Sequence, residues 1–189
     1  MSSSPTPQGP GSVSGAPSLP AGFTGTFTSR YVDAGELRLH AVTGGEGPPL
    51  LLVYGWPQTW YAGRMLMPAL ARDFSVVAVD QRGIGLSGKP QGGYHTATLA
   101  ADPDHLRGSF GFYRAIPTSI AQNEQRKTRR LTLPVLAIGG AESSGEGVGK
   151  TMKLAADDVQ TLVIPGCGHW VAEQAPQELL AALTAFLAP

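Results

Sequence analysis

His169 stands in the run Gly166-Cys167-Gly168-His169-Trp170, straight after the apolar stretch Val159 to Ile164. A histidine held on a loop at the end of a strand can take a proton from water as a general base. A second strand-end loop, Tyr54-Gly55-Trp56-Pro57, follows the apolar run Pro49 to Val53. Between the two loops no serine, aspartate or cysteine sits in the elbow pattern that would present a nucleophile. Ser109, in Arg107-Gly108-Ser109-Phe110-Gly111, comes nearest, but its first glycine is misplaced. Cys167 has no second base or acid of its own and reads as a positional residue. A lone cysteine excludes an internal disulfide and a multi-cysteine metal site.

The elements that must carry these loops alternate between strand and helix, which predicts a layered α/β fold with a mostly parallel sheet. Phe27 to Val42 reads as two strands joined at Asp33-Ala34-Gly35. Pro49 to Val53 and Phe74 to Val79 read as buried strands, with a helix from Trp60 to Arg72 between them that turns Trp60, Met67 and Leu70 to the core. Further strands are expected at Pro134 to Ile138 and Val159 to Ile164, with a short helix over Thr151 to Ala156. The closing helix, Pro176 to Leu187, sets Leu179, Leu180, Leu183, Phe186 and Leu187 on one face.

Of the first 22 residues, 15 are Ser, Pro or Gly, which predicts a disordered tail over 1–22 ahead of a core from 23 to 189. The tail shows no apolar export signal, and no run approaches the length of a membrane span. Fourteen basic and fourteen acidic residues balance. That argues against nucleic acid or a membrane as partner and for a cytoplasmic protein. The cluster Arg126-Lys127-Thr128-Arg129-Arg130 reads as a solvated helix end rather than a phosphate patch.

Three segments, Tyr54 to Tyr61, Val79 to Ser87 and Pro165 to Trp170, resemble in order and spacing the oxyanion loop, the strand-four turn and the catalytic-histidine loop of the α/β-hydrolase family. The Trp-Pro pair of the first loop, with Ser109 to Ala115, is similar to the epoxide-hydrolase branch. The resemblance implies a small-molecule substrate, no metal and no cofactor. It implies that His169 activates water, that the backbone N–H of Trp56 serves the oxyanion hole, and that Tyr113 donates a hydrogen bond to the epoxide oxygen. Tyr54, Pro57 and Trp170 fall at substrate-binding positions. Glu142 is the local candidate for the acid orienting His169, or else a solvated loop carboxylate. Asp80 and Arg82 fall where the turn is stabilised.

In that family an aspartate or serine elbow follows the turn ending at Ser87, and neither the elbow nor most of the lid is present here; 101–130 resembles a residual lid segment. The missing strand would lie between the strand ending at Val53 and that at Pro134 to Ile138. Its loss predicts either direct pairing of those two strands or exposed apolar edges. Trp56 and His169 are expected to share the carboxyl edge of the sheet. A reading from another class is a phosphate loop at Gly145 to Thr151, whose spacing misses the motif by one position.

Overall fold

The computed structural model of the chain describes residues 19–35, 37–55, 57–89, 117, 120–121 and 130–188. Two compact units divide it, Met1–Ile116 and Pro117–Pro189. Trp56, Ser109, Tyr113, 126–129 and nearly all of the expected lid segment lie outside the described residues, so the expectation that Trp56 and His169 share a sheet edge is carried forward as an expectation.

In the first unit the strands are β1 (Phe27–Ala34), β2 (Leu37–Gly44), β3 (Pro49–Val53) and β4 (Ser75–Val79), in the spatial order β1-β2-β4-β3. The hairpin β1–β2 is antiparallel and pairs Phe27 with Gly44 through Ala34 with Leu37. The turn begins at Gly35, which has φ +66°, a conformation that glycine adopts without the steric cost of a Cβ. β2 and β4 are antiparallel, whereas β3 and β4 are parallel from Pro49↔Ser75 to Val53↔Val79. A parallel pair needs a crossover. The expected single helix from Trp60 to Arg72 is instead two short pieces, a 3-10 turn at Trp60–Gly63 and α1 at Met67–Leu70. Pro68 explains the restart, because a proline lacks the N–H that an uninterrupted helix would need and fits a first helical turn. Trp60, Met67 and Leu70 are buried as expected. Val42, Val76 and Ala78 are the fully buried centre of the sheet, and Trp60 lies 6.0 Å from the Phe23 ring, which stacks on Phe27.

The second unit contains β5 (Val135–Gly140), α2 (Gly147–Met152), β6 (Val159–Ile164), α3 (Val171–Gln174) and α4 (Pro176–Leu187). β5 and β6 are parallel, Val135↔Val159 through Gly140↔Ile164. The helix expected over Thr151 to Ala156 lies four residues earlier. Gly149 permits this, since its missing Cβ would meet the Thr161 side chain of β6 at 2.3 Å, so only glycine lets the helix lie this close to its strand. α4 has the expected limits, and Leu179, Leu180, Leu183, Phe186 and Leu187 are half-buried while Gln177, Glu178 and Thr184 face water.

The buried character expected of β3 is not found. It is the outer strand of its sheet among the described residues, with Leu51 61% and Val53 55% exposed. β3 and β5 belong to different compact units, so their direct pairing is carried forward as an expectation. The apolar sequence of β3 is that of a strand covered on both sides, but the described chain supplies a neighbour only on the β4 side.

Candidate active site

In the second unit the histidine loop is held by backbone hydrogen bonds to the end of β5. Ala141 N–H donates to the Ile164 carbonyl at 3.0 Å and Glu142 N–H to the Cys167 carbonyl at 2.9 Å. Gly166 takes φ +64° to turn the chain out of β6. A Cβ on Gly140 would meet the carbonyl oxygens of Gly168 and Cys167 at 2.1 and 2.3 Å, so the two loops touch through backbone that a side chain would separate. Cys167 is buried with Ile164 and Ala175 in a small apolar cluster. It anchors the loop, as a positional residue would.

His169 is exposed at the mouth of a pocket of about 150 Å³, lined with it by Ile138, Ser143, Ser144, Val148 and Val171. Its ring meets Trp170 edge to face at 4.7 Å. The Trp170 N–H is in turn held by Gln174 Oε1 at 3.1 Å. Among the described residues Glu142 makes no hydrogen bond to His169; only its backbone joins the loop, and its side chain is exposed. The arrangement leaves an imidazole facing a small pocket of apolar and hydroxyl groups, able to accept a proton from water there.

In the first unit Tyr54 follows β3, and its carbonyl accepts from Gln81 Nε2 at 2.6 Å. The phenol lies over Gly63, where a Cβ would come within 1.7 Å of the hydroxyl. That hydroxyl is buried without a hydrogen-bond partner, and burial pushes its pKa above the ordinary 10.0. Pro57 is exposed on the same loop.

The turn after β4 holds a set of partners that the sequence reading anticipated only at Asp80. Its carboxylate accepts from Trp60 N–H at 2.8 Å, Leu86 N–H at 3.1 Å and His40 Nδ1 at 2.8 Å. Ser87 Oγ donates to the Asp80 carbonyl at 2.6 Å and accepts from His40 N–H at 2.8 Å. His40, Asp80 and Ser87 are at most 2% exposed. A buried network with its donors and acceptors matched fixes the turn in one arrangement. Lys89, at the end of this turn, bonds the carbonyl of Gly85 at 2.6 Å; desolvation lowers its pKa and Asp80 opposes that shift. His40 was missed because it lies on a strand whose alternation drew attention to Leu37, Leu39 and Ala41. A histidine amid an apolar strand, with an aspartate at the end of another, is the signal that was there.

A family model described as alpha/beta hydrolase fold matches residues 48–112. The chain is 48% identical over 75 residues to a soluble epoxide hydrolase from Corynebacterium sp. (strain C12), covering 40% of this chain and 26% of that protein. It is 39% identical over 93 residues to a fluoroacetate dehalogenase from Burkholderia sp., covering 47% and 31%. The solved structure of the epoxide hydrolase CorEH without ligand superposes with a TM-score of 0.76 at 21% identity, over 86% of this chain and 99% of that one. The chain has the α/β-hydrolase fold. It resembles the epoxide hydrolases and dehalogenases within that fold, and spans roughly a quarter to a third of the length of the two curated relatives.

The competing phosphate-loop reading finds no support in α2. Lys150 Nζ pairs with Glu146 Oε2 at 3.2 Å one turn away, and Gly149 is accounted for by its contact with Thr161.

Proposed function

We propose that the chain is a cytoplasmic, epoxide-hydrolase-like hydrolase that has kept the water-activating part of its machinery and lacks the nucleophile. In an intact relative an aspartate would open a small apolar epoxide by forming an ester, with Tyr113 polarising the oxygen and Trp56 N–H in the oxyanion hole. His169 would then activate the water that hydrolyses the ester. The observation that carries the reading is the contrast between two strands. The loop after β6 still presents His169 to a pocket, while β3, beside which the elbow strand would pair, ends its sheet among the described residues, with Leu51 and Val53 exposed. Without an ester the base has no intermediate to resolve.

Sustained turnover of epoxides and 4-nitrophenyl esters is therefore expected to be the same in the wild-type protein and in His169→Ala. Steady turnover that disappears in His169→Ala would overturn the reading and require a nucleophile elsewhere in the chain.

A further inference from the structure

The buried turn of the first unit continues to a hydroxyl on the outer strand. Ser29 Oγ, on β1, lies 2.7 Å from His40 Nε2, and His40 Nδ1 lies 2.8 Å from Asp80 Oδ2. An ionised carboxylate can only accept, so Nδ1 donates to Asp80, and the tautomer with Nε2 bare accepts from the Ser29 hydroxyl. Asp80 is fixed by two backbone N–H groups besides the histidine, and His40 is fully buried, its own N–H held by Ser87. The base and its orienting acid are thus rigid, whereas Ser29 is half-buried on a strand that, among the described residues, has a neighbour on one side only. These are the mutual relations of an activated nucleophile: a hydroxyl bonded to a base, and the base oriented by a third group.

We propose that Ser29 is a nucleophilic serine, activated by His40 and Asp80, that reacts covalently with activated acyl and phosphonyl electrophiles. With an alkyl fluorophosphonate, Ser29 Oγ attacks phosphorus, a new P–O bond forms, the P–F bond breaks and fluoride departs. The hydroxyl proton passes to His40 Nε2, and from there to water. With an aryl ester the same attack leaves an acyl group on Ser29 and releases the phenol, which takes the proton. Tyr31 shares the Ser29 face of β1 by the two-residue period of a strand, and its ring lies edge-on to His40 at 5.7 Å, beside the reacting hydroxyl. This site is independent of His169 and of the hydrolase reading above.

The test is intact-mass analysis of the full chain after incubation with an alkyl fluorophosphonate, followed by peptide mapping. One adduct per chain on Ser29 is expected, absent in Ser29→Ala and absent when the wild-type chain is labelled in concentrated urea. His40→Asn keeps a donor toward Asp80 and removes the base; it should label at least roughly 10²-fold more slowly, the usual scale of a positioned general base. The urea comparison does not depend on how that variant folds. Failure to modify Ser29 in the folded wild-type chain, equal modification in urea, or a label mapping to another residue would overturn the proposal.

Discussion

At the scale of single residues, polar groups in the first unit fall into two kinds. Asp80, His40 and Ser87 are buried and mutually satisfied. Tyr54 is half-buried, and its hydroxyl is buried without a partner. An unmatched buried hydroxyl costs about 1–3 kcal/mol of desolvation, so Tyr54→Phe is expected to leave stability unchanged or raise it by up to about that amount, read as the urea midpoint at constant slope. A loss in that variant would mean that the hydroxyl has a partner. The raised pKa gives a second readout. The folded state holds the phenolic proton more tightly than the unfolded state, so the stabilisation this provides is complete below the ordinary value of 10.0 and declines as pH rises beyond it. The alkaline decline should be shallower in Tyr54→Phe than in wild type.

At the scale of elements, what was legible in the sequence was the run of apolar residues, and what was not was the effect of close backbone contacts. The strand Val159–Ile164 and the helix Pro176–Leu187 have the limits their patterns indicate, because an apolar run beside a turn glycine, or a proline opening an amphipathic segment, is a local signal. α2 was misplaced because its position is set by a tertiary contact, Gly149 against Thr161, that no local pattern encodes. The break in the Trp60 to Arg72 segment was marked by Pro68 but outweighed by the helical spacing of Trp60, Met67 and Leu70. Of the candidate site, the His169 loop was visible from its glycines, while the Ser29, His40 and Asp80 chain joins two strands and the turn after a third and has no spacing to detect. Gly149→Ala separates propensity from packing. Alanine gains about 1 kcal/mol over glycine in a helix interior, yet its Cβ would lie 2.3 Å from Thr161 Oγ1 and 2.5 Å from Cγ2. Thr161 is β-branched and fixed in register with Ala137, so it has little freedom to yield. Overpacking wins, and a net destabilisation of about 1–3 kcal/mol is expected in the denaturant midpoint.

The whole molecule is best understood from the strand that ends its first sheet. Pro-Leu-Leu-Leu-Val at 49–53 is a sequence for the middle of a sheet, and the family resemblance places a further strand beside it. Here Leu51 and Val53 are exposed, and among the described residues the outer edge of β3 has no partner. A flat apolar edge with free N–H and C=O groups is a template for a strand from another chain. Self-association through β3 is therefore expected, visible as a sedimentation coefficient that rises with protein concentration. Leu51→Lys places a charge on that edge without touching the β4 ladder, whose pairing runs through the backbone of Leu51 with Val77. The variant should remain folded by circular dichroism and sediment as a single species over the concentrations at which wild type associates. Wild-type protein that stays monomeric throughout would mean that residues outside the described segments cover β3, and would remove the unpaired edge from the argument for a lost nucleophile strand.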